Sequence, residues 1–172
     1  MNAIARLSAT ELLTSSAELG DLLVDAVDGG ASLGFLAPFD HGAATTWWEA
    51  QAPAVRDGSL IVWVARSGNR IIGTVSLELG RKPNGVHRAE VAKLIVHRDA
   101  RGRGLGRDLL DVAERAAAGG GTTLLLLDTQ TGSTAEQLYR AAGWSQVGVV
   151  PDYAADPAGV LRPSTFFFKT LT

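Results

Sequence analysis

The sequence predicts a single α/β domain over residues 1–172, a mixed and mostly antiparallel sheet flanked by helices. Three observations predict it. Runs rich in β-branched and aromatic residues interleave with runs of helical spacing along the whole chain. Two strand-like runs are joined by the short turn "SGN" (67–69), which reads as a hairpin and makes part of the sheet antiparallel. A third run enters "ARGRGLGRDLL" (100–110), a glycine-rich turn that opens a helix. At 172 residues, 46% hydrophobic and 20% charged, the chain is near one domain in size and can bury a sizeable core.

Each element follows from local chemistry. Residues 9–28 carry Leu12, Leu19, Leu22, Leu23 and Val27, whose later members fit helical spacing, and Gly29–Gly30 stop that helix. Residues 40–57 read as a second helix, capped by Asp40 and interrupted by Pro53. "SLIVWVAR" (59–66) and "RIIGTVSLEL" (70–79) are the hairpin strands, and "VHRAEVAKLIVH" (86–97) is a third strand. After the glycine-rich turn, Leu105, Leu109, Val112, Ala113 and Ala116 share one helical face, which "GGG" (119–121) ends. "TTLLLLDT" (122–129) reads as a central buried strand and "STAEQLYRAA" (133–142) as a short helix stopped by Gly143. "WSQVGVV" and "STFFFKTL" close the sheet, the phenylalanine run being expected buried on both faces.

Composition excludes several functions. No cysteine is present, so disulfides, cysteine metal sites and a cysteine nucleophile are out. His41, His87 and His97 lack ligand spacing, so no metal is expected. The first residues lack the pattern of a signal peptide and no apolar run is long enough to span a bilayer, so a soluble cytoplasmic protein is expected, with no membrane partner. Net charge is −2 and no aromatics interleave with the basic run, which argues against nucleic acid.

The basic charge is instead local: Lys93, Arg98, Arg101, Arg103 and Arg107 face only Asp99 and Asp108. A strand entering a glycine-rich turn at a helix start offers outward backbone N–H groups at the positive end of the helix dipole. Such a site suits phosphate or pyrophosphate. A P-loop is absent, and a dinucleotide fingerprint fails because Arg107 follows Gly102 and Gly104 where the last glycine belongs. Taken alone, the loop reads either as an anion cradle or as an arginine-rich surface turn.

Two motifs in order narrow this. "VAKLIVHRDARGRGLGRDLL" resembles the acetyl-CoA-binding motif of the GNAT N-acetyltransferase superfamily, with Arg101, Gly104 and Gly106 at its key places. "AEQLYRAAGW" resembles its second signature, with Ala135, Tyr139, Gly143 and Trp144. "GGASLGF" (29–35), "KPNGVHRAEVAKL" (82–94), "LDTQTGSTAE" (127–136) and the C-terminal segment are similar to the tabtoxin-resistance acetyltransferase group within that superfamily. The chain departs from the pattern at Gly132, where many members carry an Asn that contacts the pantetheine arm.

The resemblance implies two central strands, 90–97 and 123–128, that splay apart to hold acetyl-CoA. Leu94, Ile95 and Val96 would pair with the pantetheine arm. The amides of Arg101, Gly102, Arg103, Gly104, Leu105, Gly106 and Arg107 would hold the pyrophosphate. It further implies an N-acetyltransferase acting directly, in a ternary complex, on a small-molecule primary amine, such as a toxin- or antibiotic-like amino compound. A non-catalytic acyl-CoA-binding or regulatory protein is the alternative.

Acetyl transfer requires a deprotonated amine, a polarised thioester and a stabilised thiolate. Tyr139 is the candidate general acid, because the family's tyrosine points at the cofactor sulfur; a core-facing tyrosine is the competing reading. Glu90 and Asp128 are the candidates for amine deprotonation or binding, each a carboxylate in a strand of the cleft where partial desolvation raises basicity. A solvated strand charge competes for Glu90 and a turn or helix cap for Asp128. His97 reads as a solvent or phosphate contact and His87 as a surface histidine. Phe35, Trp47 and Trp48 are candidates for the acceptor wall, with core packing the commoner fate. Pairing of two copies through the C-terminal strands would make a homodimer.

Overall fold

The structure, a computed structural model, describes residues 2–172. Its elements are β1 (Ala3–Arg6), α1 (Ala9–Thr14), α2 (Ser16–Asp28), α3 (His41–Glu49), α4 (Ala52–Asp57), β2 (Leu60–Ser67), β3 (Arg70–Leu79), β4 (Arg88–Val96), α5 (Leu105–Gly119), β5 (Leu124–Gln130), α6 (Thr134–Ala141), β6 (Ser145–Ala155) and β7 (Leu161–Thr170). The seven strands form one sheet in the order β1-β2-β3-β4-β5-β7-β6. All its neighbours are antiparallel except β4 and β5.

Helices cover both faces. Leu12, Leu19, Leu22, Leu23 and Trp48 pack with Val62, Val64 and Ile95 on one face. Leu105, Leu109, Leu110 and Ala113 of α5 pack with Val75, Leu77 and Leu125 on the other. The buried stripe of α5 is Leu105, Leu109, Leu110, Ala113 and Ala117, so it runs one position off the expected Val112 and Ala116.

The structure departs from the expected elements at four points. The extended Ala3–Arg6 is a strand, β1, paired on β2. The long N-terminal helix is two, because Ser8 closes a capping box with Glu11 over a six-residue α1 and Ser15 restarts the chain as α2. The second helix also divides: Pro53 stands in the first turn of α4, where its missing N–H costs nothing, rather than inside one long helix. Of the three phenylalanines of β7, only Phe167 is fully buried, while Phe166 and Phe168 on the opposite face are half-buried.

The sheet opens at its one parallel joint. β4 and β5 pair at Arg88↔Leu124, Ala89↔Leu125 and Glu90↔Leu126, and there the pairing stops. Beyond it β4 stays on β3 and β5 stays on β7. A bulge deepens the divergence. Thr74 pairs with Ile95 but Ser76 with Ala92, which leaves Lys93 and Leu94 both opposite Val75. Lys93 takes the left-handed conformation, φ 51°, an uncommon state for a non-glycine residue.

Candidate active site

A cleft of about 470 Å³ fills the splay. Leu94, Ile95 and Val96 form one wall, and Arg101, Gly102, Gly104, Leu105, Gly106 and Arg107 its end. Arg103 alone of the predicted loop residues does not line it. Ala26, Gly29 and Gly30 at the end of α2, with Ser133, Thr134 and Ala135 at the start of α6, complete the lining; loop and helix-terminus positions like these carry no periodic signal in a sequence.

The loop is shaped for an anion. Gly102 and Gly104 have φ of 75° and 83°, which glycine adopts freely. Gly104 is the N-cap of α5 and no side chain caps that end. The first intrahelical bond is Asp108 N–H to Gly104 O, at 3.0 Å. The amides of Leu105, Gly106 and Arg107 therefore have no intrahelical acceptor. A Cβ on Gly106 would lie 3.4 Å from Leu138 Cδ2 and 3.7 Å from Val96 Cγ2, so glycine keeps the space between β4, α5 and α6 open.

The arginines divide their duties, which corrects the picture of a cationic ring. Arg98 is paired with Asp25, and Arg107 donates to Asp111 at 2.8 Å. Arg101 donates from Nε to the carbonyl of Val96 at 3.0 Å, bracing the loop on the strand. His97 is not a solvent or phosphate contact: it is buried, with Arg70 Nη2 2.7 Å from its Nε2 and Asp25 3.6 Å away. His87 is exposed.

Gly132 has a structural reason. Its φ is 81°, a conformation that glycine takes at no cost and asparagine tolerates. Its N–H donates to the Glu136 carboxylate, which also accepts from Arg140 at 2.8 Å and Thr165 at 3.1 Å. Ser133 caps α6. These bonds fix the start of α6 against the cleft.

On the face covered by α1–α4, the sheet register gathers acids. Glu78 of β3 stands directly opposite Glu90 of β4. Asp128 lies two residues beyond Leu126, the β5 partner of Glu90, so all three carboxylates share one face. Glu90 is open to solvent at the sheet surface, yet partial desolvation by its neighbours raises it above the usual carboxylate range, the charges of Glu78 and Asp128 adding to this while Lys93 opposes it. Burial likewise raises Asp128, against a backbone hydrogen bond and the pull of Lys93. Lys93 Nζ sits 5.3 Å from the Trp47 ring centre. Its pKa is lowered by burial, while Glu78, Glu90 and Asp128 act the other way. Trp47 meets Phe35 edge-on at 5.4 Å, and Phe35 stacks on Phe39 at 4.5 Å. Trp48 is fully buried and belongs to the core, not to an exposed wall.

Sequence reading missed Glu78 and grouped Lys93 with the basic residues of the phosphate loop, whereas its Nζ lies over Trp47. A lone lysine inside "VAKLIV" was the available signal; the bulge that turns it to this face was not legible.

Tyr139 of α6 is buried against Trp144 (5.8 Å) and Phe167 (6.2 Å). Burial first, and then the Asp128 charge, push its pKa well above that of an ordinary phenol. It is a neutral hydroxyl throughout the physiological range.

Among the described residues no helix is long and apolar enough to cross a membrane. The profile of the Acetyltransferase (GNAT) family matches residues 30–144. Solved structures share the fold over nearly the full length. One is a ribosomal-protein-alanine N-acetyltransferase from Brucella melitensis, 24% identical, TM-score 0.76, covering 98% of this chain and 99% of that one. Another is an N-acetyltransferase from Staphylococcus aureus Mu50, 17% identical, TM-score 0.80, covering 100% and 99%. A third is a putative acetyltransferase from Salmonella typhimurium with its cofactor acetyl-CoA, 20% identical, TM-score 0.79, covering 100% and 95%. With its glycine-shaped loop, parted central strands and family match on the page, the chain belongs to the GNAT acetyltransferase family, whose acetyl donor is acetyl-CoA.

Proposed function

We propose that this protein moves the acetyl group of acetyl-CoA directly to the primary amine of a small molecule within a ternary complex. One observation carries the reading. The cleft beside the β4–β5 splay is walled by Leu94, Ile95 and Val96 of β4 and closed at one end by the uncapped start of α5, and Glu90 and Asp128 stand outside its lining on the two strands that part there. The residues present fit the donor. Unpaired amides at 105–107 suit its pyrophosphate, and Leu94, Ile95 and Val96 suit its pantetheine arm.

When bound, acetyl-CoA supplies the activated thioester. The chain's residues do the rest. Glu90 and Asp128 attract the acceptor ammonium and take its proton, directly or through water. An alkylammonium of pKa near 10.4 is otherwise almost wholly protonated at neutral pH. Their raised pKa values make both better bases than ordinary carboxylates. Tyr139 holds a proton for the leaving sulfur. Phe35 and Trp47 wall the acceptor side. The acidic cluster favours a cationic acceptor, in keeping with the resemblance to the tabtoxin-resistance group and with a toxin- or antibiotic-like amino compound. The exposed edge strand β6, with Val147, Val149 and Tyr153 open to solvent, supports pairing with a second copy.

The test is a calorimetric titration with acetyl-CoA, followed by a thiol-release screen of amines. Gly104→Asp puts a carboxylate at the helix start, whereas Gly104→Asn keeps a side chain that tolerates the left-handed conformation. Micromolar binding retained in Gly104→Asn and lost in Gly104→Asp supports the cradle. Absence of binding to the unaltered protein overturns the reading.

A further inference from the structure

Glu78 and Glu90 meet side by side across β3 and β4, and Asp128 faces the same side from β5. Like charges directly opposite on a sheet are destabilising. The cation among them is Lys93, which comes from the bulge of β4 and is carried on a backbone conformation that lysine seldom adopts. Lys93 makes no ion pair within 4 Å, among the described residues, with any of the three; its Nζ instead rests over Trp47. A half-buried lysine in a left-handed conformation, carried by the bulge to the Trp47 side of the sheet and pairing with none of the three carboxylates, points to a field effect rather than a structural bridge.

We propose that Lys93 is a positioning residue of the acceptor site, the cation carried on the β4 bulge that offsets the like charges of Glu90 and Asp128 on the face where Glu78 also stands. This rests on the reading of Glu90 and Asp128 as the groups that receive the acceptor amine. Three packed elements supply the charges that face Lys93: Glu78 from β3, Glu90 from β4 and Asp128 from β5. α3 supplies the uncharged Trp47 ring.

The experiment follows the side-chain carboxyl carbons of the full chain by ¹³C NMR across pH, with Glu78→Gln, Glu90→Gln and Asp128→Asn for assignment. It needs neither acetyl-CoA nor an amine, so its failure is distinct from failure of the proposed reaction. Lys93→Gly removes the charge and relieves the left-handed strain, so the variant folds. Lys93→Arg keeps the charge and can stack on Trp47. In Lys93→Gly the midpoints of Glu90 and Asp128 rise by about half a pH unit or more, and in Lys93→Arg they stay near the original. Midpoints unmoved in Lys93→Gly, or moved equally in Lys93→Arg, overturn the proposal.

Discussion

Glu78 and Glu90 are register partners on adjacent antiparallel strands, two carboxylates where stability alone would favour opposite charges or apolar residues. The arrangement costs the fold. Because Glu90 is raised, the native state holds its proton to higher pH than the unfolded chain does. Its contribution to stability is therefore present below the ordinary carboxylate range and is lost as pH rises through the raised value. Glu78→Gln should stabilise the protein by a few tenths of a kcal/mol at pH 7–8. The gain should vanish near pH 4, where carboxylates protonate. Urea denaturation at both pH values checks this. A gain that persists in acid would show that repulsion is not its source.

The sequence made legible what periodicity and punctuation encode. The hairpin, the α5 amphipathic face and the glycine stop at 119–121 all follow from local rules. The glycine turn was legible because Gly102 and Gly104 take left-handed conformations that few other residues adopt. β1 was not, since four residues on a sheet edge show no alternation long enough to count. The partners of Arg98 and His97 come from α2 and β3, far away in sequence, so their diversion from the phosphate loop could not be read locally. Glu90 and Asp128 were singled out as strand carboxylates, but Glu78 escaped for the same reason: it neighbours them only through strand register.

Tyr139 combines a buried ring with a hydroxyl that feels Asp128. Its raised pKa keeps the proton in place, so under the proposed reaction it would donate a hydrogen bond to developing charge on sulfur. Tyr139→Phe keeps the contacts to Trp144 and Phe167. It should lower kcat about 10²- to 10⁴-fold, the span typical of acid–base groups. Acetyl-CoA affinity should hold by calorimetry. Unchanged turnover would remove Tyr139 from the mechanism.

Asp25 ties the end of α2 to the turn after β4. Its carboxylate accepts from the Arg98 backbone N–H at 3.1 Å and from the Arg98 guanidinium. Ala26, Gly29 and Gly30 of that same helix end line the cleft. Burial alone would raise Asp25; hydrogen bonds from Arg98 and the nearby charges of His97 and Arg98 outweigh it and hold it below the usual range. The stability it contributes is therefore present above the ordinary Asp range and is lost as pH falls through the lowered value. Asp25→Asn should cost about 1–3 kcal/mol at pH 7, as hydrogen bonds to charged groups do. The gap to the unaltered protein should close as both are acidified, followed by denaturation from pH 7 to pH 3. Acetyl-CoA affinity should fall with it, because the loosened wall must be ordered on binding. A gap constant with pH would assign the cost to lost shape rather than lost charge.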